Sequence, residues 1–373
     1  MLQLADAARE HEALRDEIET AALRALRSGQ YILGPEVEAF EQEFAAYCGA
    51  SASVGVSNGS DAIVVALQAL GIGDGDEVVT TAFSYFATAS AIHRVGAKPV
   101  FADIDLNTFN IDANDVAKRV TSRARAILAV HLFGRVADTD TLGAIAKDRN
   151  LVLIEDVAQA CGAERNGKRT GTLGHVASFS FFPAKPFGAA GDGGACVTND
   201  APLAAKMKQV RVTGATSKNV HDLPGGNYRL DPLQAAMLRV KLPHLEARLA
   251  RRRANASALR EGLNDCSSQL VLPQDDPDGR HVYAQFTVRH PKRDALQAAL
   301  KTRGVNSEVY YPRPMPYQSF FASLGHRVGE FPKTEVACRE VLSIPVHSEL
   351  DEGDVHTVID AMRSALSHIE GRS

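Results

Sequence analysis

The segment 151–200 limits the possible folds of this chain more than any other segment. An apolar run at 151–154 ends on an acidic pair, Glu155 and Asp156, and one lysine, Lys185, follows farther on beside a glycine-rich turn. Apolar runs of this length are typical of strands buried in a parallel sheet, and the residues after such strands lie at one edge of the sheet. The segment therefore predicts a buried strand that delivers a carboxylate to a ligand site.

Lys185 and Asp156 together suit the chemistry of pyridoxal phosphate. A lysine amine can form an imine with the aldehyde of that cofactor, and a carboxylate can keep the proton on its pyridine nitrogen. The aromatic run before the lysine, Phe179, Phe181 and Phe182, should disfavour the charged ammonium and leave more free amine. The alternative is a solvent-exposed surface lysine, which is the usual situation of this residue.

Strand-like and helix-like segments alternate across residues 53–200. This alternation predicts an α/β domain with a mostly parallel sheet, whose ligands bind at the carboxyl ends of the strands. The predicted strands are 53–57, 77–81, 98–102, 126–133 and 151–154.

A chain of 373 residues is expected to form about two domains. The character of the sequence changes after a long helical segment at 232–262, and few strand–helix repeats follow it. We therefore expect a large domain at 1–245, with an N-terminal helix at 7–28, and a smaller α+β domain at 246–373. The smaller domain should contain a strand at 282–288.

A turn between a strand and a helix, Gly59-Ser60-Asp61, predicts an anion site. Backbone N–H groups are free at the first turn of a helix, and the helix dipole favours negative charge there. The Ser60 hydroxyl could add another donor. The alternative is an ordinary N-cap, which Ser or Asp forms in many helices.

The composition excludes several functions. A net charge of −4 gives no reason to expect nucleic acid as a partner, and the five cysteines are scattered singly without a metal-binding spacing. The acidic run at 103–107 lacks the glycine and glutamate of a calcium loop, so we expect no metal. No segment has the apolar length of a membrane span, and the N-terminus does not look like a signal peptide. A cytoplasmic protein without a membrane partner is the resulting expectation.

Four motifs in a fixed order resemble the DegT/StrS family of nucleotide-sugar aminotransferases. They are SNGSDA at 57–62, EDVAQACGA at 155–163, SFSFFPAKPFGAAGDGG at 178–194 and GGNYRLDPLQAA at 225–236. The resemblance covers about residues 10–365 and implies a fold type I enzyme that depends on pyridoxal 5′-phosphate. Within the family, the chain is similar to enzymes that aminate C3 of UDP-2-acetamido-2-deoxy-3-keto-glucuronic acid.

The resemblance also implies roles for individual residues. Lys185 corresponds to the imine lysine and proton shuttle, and Asp156 to the acid beside the pyridine nitrogen. Gln159 would contact the ring hydroxyl, and Tyr85 would stack on the ring. The alternatives are a surface helix position for Gln159 and core packing for Tyr85.

The expected phosphate ligands come from three parts of the chain. The resemblance implies that Gly59, Ser60 and Ser180 bind the phosphate, with Asp61 contributing its backbone amide. Asn227 matches an asparagine that reaches the phosphate from the neighbouring subunit, which implies a homodimer with shared active sites.

The candidate substrate residues leave the sugar open. Relatives often carry histidine before tyrosine in the segment that touches the sugar, whereas this chain has Tyr310 and Tyr311. Arg229 could bind a sugar carboxylate through its planar fork, or it could pair with Asp231. Arg313 is a further candidate for the carboxylate or for the nucleotide diphosphate.

The resemblance implies a reaction in two halves. Glutamate first gives up its amine and leaves as 2-oxoglutarate. A nucleotide-linked keto sugar then receives the amine, and C3 is the expected position. Alternative substrates are dTDP-linked 3-keto or 4-keto 6-deoxyhexoses. A sugar dehydratase of the same fold would carry histidine in place of Lys185, and a non-catalytic regulator would not need Lys185 or Asp156. An NAD-dependent reductase would need a GxGxxG loop, which the sequence lacks.

Overall fold

A seven-stranded sheet is the centre of the computed structural model of this protein, which describes residues 1–369 and 371. The strand order is β1-β7-β6-β5-β4-β2-β3, and only β7 runs antiparallel to its neighbours. The predicted α/β class with a mostly parallel sheet is therefore confirmed. The strands are β1 (Ala52–Val56), β2 (Glu77–Thr81), β3 (Lys98–Ala102), β4 (Ala124–Val130), β5 (Val152–Asp156), β6 (Val176–Ser180) and β7 (Gly194–Thr198).

Helices cover both faces of this sheet. Successive residues of a strand point to opposite faces, and Val176 and Ala177 of β6 accordingly lie in two different apolar cores. One core contains α4 and α8, and the other contains α3 and α9. The helices up to this point are α1 (Ala7–Ala13), α2 (Arg15–Ser28), α3 (Pro35–Cys48), α4 (Gly59–Ala69), α5 (Ala87–Arg94), α6 (Ala113–Arg119), α7 (Thr139–Asp148), α8 (Ala201–Val210) and α9 (Pro232–Lys241).

A smaller unit follows, built on an antiparallel strand pair. Its strands are β8 (Phe286–Arg289) and β9 (Val341–Ile344), and its helices are α10 (Leu245–Gly262), α11 (Arg293–Thr302), α12 (Pro332–Glu340) and α13 (Glu352–Ile369). Helix α10 joins the two units, because Leu249 packs in a core of the large sheet and Leu259 packs in the core of the small unit. We propose the division into 1–245 and 246–373, because α10 begins at Leu245 and leads into the core of the small unit.

Two of the expected helices are each interrupted. The helix expected at 7–28 is broken at Leu14, whose φ of −127° and ψ of 20° are not helical. The helix expected at 232–262 is interrupted by a 3₁₀ turn at Leu242–His244. Pro243 explains this second break, because proline lacks an N–H group and its ring clashes with the preceding turn.

The strand expected at 282–288 is also shorter, since β8 begins only at Phe286. Tyr283 has a φ of 48°, a left-handed conformation outside the range of a strand, and its amide donates to Nδ1 of His281 at 2.9 Å.

Within residues 1–369 and 371, no helix is both long and apolar enough to cross a membrane. The same part of the chain contains no group of three or more His, Cys, Asp or Glu side chains placed to hold a metal ion.

Candidate active site

Asp156 lies almost fully buried at the carboxyl end of β5. Its Oδ1 accepts a hydrogen bond from the Ala158 amide at 3.1 Å, and its Oδ2 accepts one from the Thr88 hydroxyl at 2.9 Å. Burial raises the pKa of this carboxyl above its ordinary value, and the two hydrogen bonds and the charge of Lys185 partly offset that effect. A buried carboxylate of this kind favours a cation at the end of β5.

Lys185 lies in the same desolvated region as Asp156. Burial lowers the pKa of the Lys185 amine, and the negative charge of Asp156 partly opposes this decrease. Each side chain therefore experiences the charge of the other. The side chain of Lys185 is only partly exposed, which argues against the freely solvated surface lysine considered as the alternative.

The aromatic run before Lys185 is only partly buried. Phe179 and Phe181 are buried, but Phe182 is 52% exposed, which corrects the expectation of three apolar walls. The reason is the alternation of the strand: Phe179 and Phe181 point to the side where both rings pack edge-to-face against Phe44.

The first turn of α4 approaches Ser180 at the end of β6. A Cβ atom added at Gly59 would lie 2.5 Å from Cβ of Ser180, so the helix can begin at this place only with glycine. Among the described residues, the amides of Gly59 and Ser60 donate to no protein acceptor. These two amides and the hydroxyls of Ser60 and Ser180 suit a phosphate group.

Asp61 has a different role from the one expected. Its backbone amide donates to Oδ1 of Asn58 at 2.9 Å, and its carboxylate accepts from Ser57, Asn58 and Arg94. The amide is thus engaged by the N-cap Asn58, and this corrects the expectation that it would bind an anion. Asp61 instead fixes the turn that presents the two free amides.

Gln159 and Tyr311 meet beside Asp156. Gln159 is buried in a turn after β5, accepts from the Phe133 amide at 2.7 Å and donates to the Tyr311 hydroxyl at 3.1 Å. A surface helix position is therefore wrong for Gln159. Core packing is wrong for Tyr85, which is 62% exposed with its ring centroid 6.3 Å from that of Tyr311.

The other expected substrate residues lie at the rim. Tyr310 is half-buried with its ring against Tyr311, and Arg313 is exposed. Arg229 is half-buried, and within the described chain its guanidinium forms no ion pair, so the expected alternative of a pair with Asp231 is not found. Asn227 is exposed, and its backbone forms a bridge with Val212.

Sequence reasoning missed Thr88 and the capping role of Asn58. Thr88 is almost fully buried, and its hydroxyl lies 3.0 Å from that of Ser84 as well as near Asp156. The available signal for Thr88 was a small polar residue in the first turn of a helix that follows a parallel strand. For Asn58, the signal was an N-cap residue type three positions before Asp61.

Thr88→Val removes the hydroxyl that donates to Asp156 and keeps the shape of the side chain. A hydrogen bond to a charged group contributes about 1.5–3 kcal/mol, so we expect the free energy of unfolding to decrease by about that amount. Urea unfolding at pH 7 without added ligand measures this decrease in the free energy of unfolding.

The matched control for Thr88→Val is Thr80→Val, which removes a buried hydroxyl that donates to the neutral carbonyl of Leu128 at 2.9 Å. The control should lose less stability, about 1 kcal/mol. Equal losses in the two variants would mean that Thr88 does not support a charged carboxylate.

Comparison with known proteins gives matches over nearly the whole chain. The sequence profile of the DegT/DnrJ/EryC1/StrS aminotransferase family matches residues 12–363. A pleiotropic regulatory protein of Geobacillus stearothermophilus is 48% identical over 364 residues, which cover 97% of this chain and 98% of that protein. A dTDP-3-amino-3,4,6-trideoxy-alpha-D-glucose transaminase of Streptomyces venezuelae is 41% identical over 360 residues, which cover 96% of this chain and 95% of that protein.

Two further matches bear on the substrate and the fold. A UDP-2-acetamido-2-deoxy-3-oxo-D-glucuronate aminotransferase of Pseudomonas aeruginosa is 39% identical over 362 residues, which cover 97% of this chain and 99% of that protein. The crystal structure of S. venezuelae DesV in complex with a ketimine intermediate has a TM-score of 0.95 and 41% identity, and the match covers 98% of each chain. The family resemblance seen in the four sequence motifs is thereby confirmed.

Proposed function

This chain belongs to the DegT/DnrJ/EryC1/StrS aminotransferase family, and from that premise we propose that it transfers the amine of glutamate to C3 of a nucleotide-linked keto sugar. The protein is a sugar aminotransferase that uses pyridoxal 5′-phosphate. The observation that carries the proposal is the buried carboxylate of Asp156 at the carboxyl end of β5, held by the Ala158 amide and the Thr88 hydroxyl and close enough to Lys185 for its charge to raise the pKa of that amine.

The described residues fit the cofactor at both of its ends. The absence of a side chain at Gly59 lets the first turn of α4 lie against Ser180, and this turn presents two free amides to a phosphate. Asp156 would accept a hydrogen bond from the protonated pyridine nitrogen and keep the proton there, and Thr88 and Ala158 hold both of its oxygens in place. Gln159 and Tyr85 would contact the ring from the positions described above. When bound, the cofactor supplies an aldehyde that accepts the amine and a ring that withdraws electrons.

Lys185 would then act twice on protons. In the first half-reaction its free amine would take the proton from Cα of glutamate and release it again beside the bound cofactor. In the second half-reaction the same amine moves the proton in the opposite direction. Burial assists both steps, because the lowered pKa leaves more of Lys185 as the neutral base.

The proposed position of amination is supported by the names of two relatives. One relative is named for a 3-amino sugar linked to dTDP, and another for a 3-oxo sugar linked to UDP. Both names refer to C3, while the nucleotide and the group at C6 differ. A keto sugar with a C3 carbonyl is therefore the proposed substrate class, and the dTDP-linked 6-deoxyhexoses remain the alternative to a UDP-linked uronic acid.

Arg229→Ala tests which sugar the enzyme uses. The half-buried guanidinium of Arg229 has no carboxylate partner among the described residues, so it can bind a sugar carboxylate bidentately. We expect kcat/KM for a UDP-linked 3-keto uronic acid to decrease by about 10²-fold, the effect of losing a charged hydrogen-bond pair of about 3 kcal/mol. For a dTDP-linked 3-keto-6-deoxyhexose the decrease should stay below about threefold.

The matched control for Arg229→Ala is Arg313→Ala at the exposed rim. Steady-state kinetics with both sugars separates the two arginines. Equal losses on the two sugars in Arg229→Ala would remove the carboxylate role, and a selective loss only in Arg313→Ala would transfer that role to Arg313.

We also propose a homodimer in which Asn227 completes the phosphate site of the partner. Support comes from the exposure of Asn227 in the single chain. Mixing a Lys185→Ala chain with an Asn227→Ala chain should restore part of the activity, because some mixed dimers would contain one intact site. No restoration after exchange of subunits, with each chain shown to be dimeric, would contradict shared sites.

Absorbance spectroscopy tests the proposed function. Protein loaded with pyridoxal phosphate should have a visible absorbance band that disappears on addition of glutamate and returns on addition of the keto sugar. Protein that stays colourless after incubation with the cofactor would refute the proposal. A protein that binds the cofactor but does not respond to glutamate would instead favour a regulator, as the name of the Geobacillus relative suggests for that protein.

A further inference from the structure

Lys185 lies in a tightly closed loop between β6 and β7. The Lys185 amide donates to the Phe182 carbonyl at 2.8 Å, and the Ala189 amide donates to the Phe181 carbonyl at 2.7 Å. A Cβ atom added at Gly188 would lie 2.6 Å from the carbonyl oxygen of Pro183, so the two sides of the loop are in direct contact. A shift of Gly188 would therefore displace Pro183 and Phe182, whose carbonyl accepts from the Lys185 amide.

Helix α9 holds this loop from outside through two side chains. Oε1 of Gln234 accepts from the Ala190 amide at 2.9 Å, and Nζ of Lys241 donates to the Gly188 carbonyl at 2.8 Å. Lys241 is only 7% exposed. Buried lysines are rare, and one that donates to a backbone carbonyl near a catalytic loop needs an explanation.

The ammonium of Lys241 is itself oriented by Glu10 of α1. The distance between Nζ of Lys241 and Oε1 of Glu10 is 2.9 Å, and the same carboxylate binds Arg248 of α10. Burial alone would raise the pKa of Glu10, but Arg248 and Lys241 outweigh burial and keep the pKa below its ordinary value. Glu10 is therefore a carboxylate at neutral pH, and its negative charge stabilises the buried ammonium.

We propose that Lys241 is a positioning residue for Lys185. The Lys241 ammonium holds the loop of Lys185 in place through the Gly188 carbonyl, and Glu10 fixes the direction of that ammonium. This inference rests on the catalytic role proposed for Lys185. Without the ammonium, the Gly188 carbonyl would be left buried without this donor, and the loop would relax toward other partners. Displacement of a reacting group by about 1 Å can cost about 10²-fold in rate.

Lys241→Met tests the proposal, because methionine keeps the apolar length of the side chain and removes the donor. Hydrogen exchange at the amides of Lys185 and Ala189 is the readout, measured in the full chain without the cofactor. We expect exchange at both amides to become at least about tenfold faster, since their hydrogen bonds lie inside the loop that Lys241 holds. In the loaded enzyme, kcat of the glutamate half-reaction should decrease by about 10–100-fold.

Arg293→Met is the matched control. Arg293 is also a buried cation that donates to a backbone carbonyl, that of Val341 at 2.9 Å, but it lies in the small unit. The control should leave exchange at Lys185 and Ala189 unchanged, whatever it does to overall stability. Lys241→Arg, which keeps a charged donor, should restore slow exchange, and Glu10→Gln should give an intermediate rate.

Two results would overturn the proposal. One is exchange at Lys185 and Ala189 in Lys241→Met that equals that of the unsubstituted chain. The other is the same acceleration in Arg293→Met, which would mean a general loss of stability. If Lys241→Met does not fold, exchange at Lys185 and Ala189 is compared between Glu10→Gln and Arg293→Met. Faster exchange in Glu10→Gln alone would support the proposal, and equal exchange in the two variants would overturn it. Because the exchange is measured without cofactor, it remains informative even if the aminotransferase function fails its own test.

Discussion

Lys185→Ala is expected to lower kcat of the glutamate half-reaction by about 10⁴-fold or more, because one amine serves as the base and the acid of both proton transfers. No other lysine of the motif at 178–194 could replace it, since Lys185 is the only one there. The measurement is the rate of 2-oxoglutarate formation by protein incubated with pyridoxal phosphate and glutamate.

The fold should survive this substitution. Burial opposes the charged form of Lys185, so removal of the amine takes away a group that is costly to desolvate. Circular dichroism and urea unfolding should therefore give values close to those of the unsubstituted chain. Lys206→Ala, at an exposed position of α8, is the control and should keep full activity. Turnover by Lys185→Ala within tenfold of the unsubstituted chain would refute the catalytic assignment.

Asp156→Asn is expected to produce the second largest loss, a decrease of about 10³-fold in kcat. A neutral amide cannot hold the proton on the pyridine nitrogen as a carboxylate does, and the loss of one preorganised electrostatic partner costs about 10²–10³-fold in well-studied sites. The loss should appear equally in both half-reactions, because the ring withdraws electrons in each of them. Separate single-turnover measurements with glutamate and with the keto sugar test this.

The same substitution should not destabilise the chain without cofactor. The introduced amide group keeps hydrogen-bond partners, because its oxygen can still accept from the Ala158 amide and the Thr88 hydroxyl can rotate to accept from its nitrogen. Burial raises the folded-state pKa of Asp156 above its unfolded value of about 3.9. A raised pKa contributes stability below the unfolded pKa, and that contribution is lost as the pH increases through the folded pKa.

Asp156→Asn should therefore become more stable relative to the unsubstituted chain as the pH increases across that window. Urea unfolding at a series of pH values from about 4 upward measures this difference. A variant that loses activity and stability together at neutral pH would contradict it, because the carboxylate would then stabilise the fold rather than serve the cofactor.

The sheet could be predicted from the sequence because its signals are local. Apolar runs such as 151–154 indicate a buried segment, and the polar residues after them mark the ends of strands. The small unit was harder to predict, because the left-handed conformation of Tyr283 depends on contacts that are distant in sequence. Its hydroxyl donates to Asp275, and its carbonyl accepts from Arg252.

Site residues could be predicted where their residue type has few other roles at such a position, and they were missed where it has many. Lys185 and Asp156 stand out because a lysine and an acid at these places serve a specific chemistry. Thr88 and Lys241 do not, because threonine in a helix and lysine at a helix end are common, and only the fold brings them to Asp156 and Gly188. The role of the Asp61 amide was wrongly predicted because this amide could donate either to a ligand or to the N-cap residue Asn58, and only the structure shows that it donates to Asn58.

Borohydride reduction of protein loaded with pyridoxal phosphate, followed by digestion and mass spectrometry, tests the central claim most directly. The reagent permanently fixes the cofactor on whichever amine it is bonded to. We expect the added mass on the peptide that contains Lys185, and only there. Attachment at any other lysine, or no attachment at all, would contradict the assignment of this residue as the one that binds the cofactor covalently.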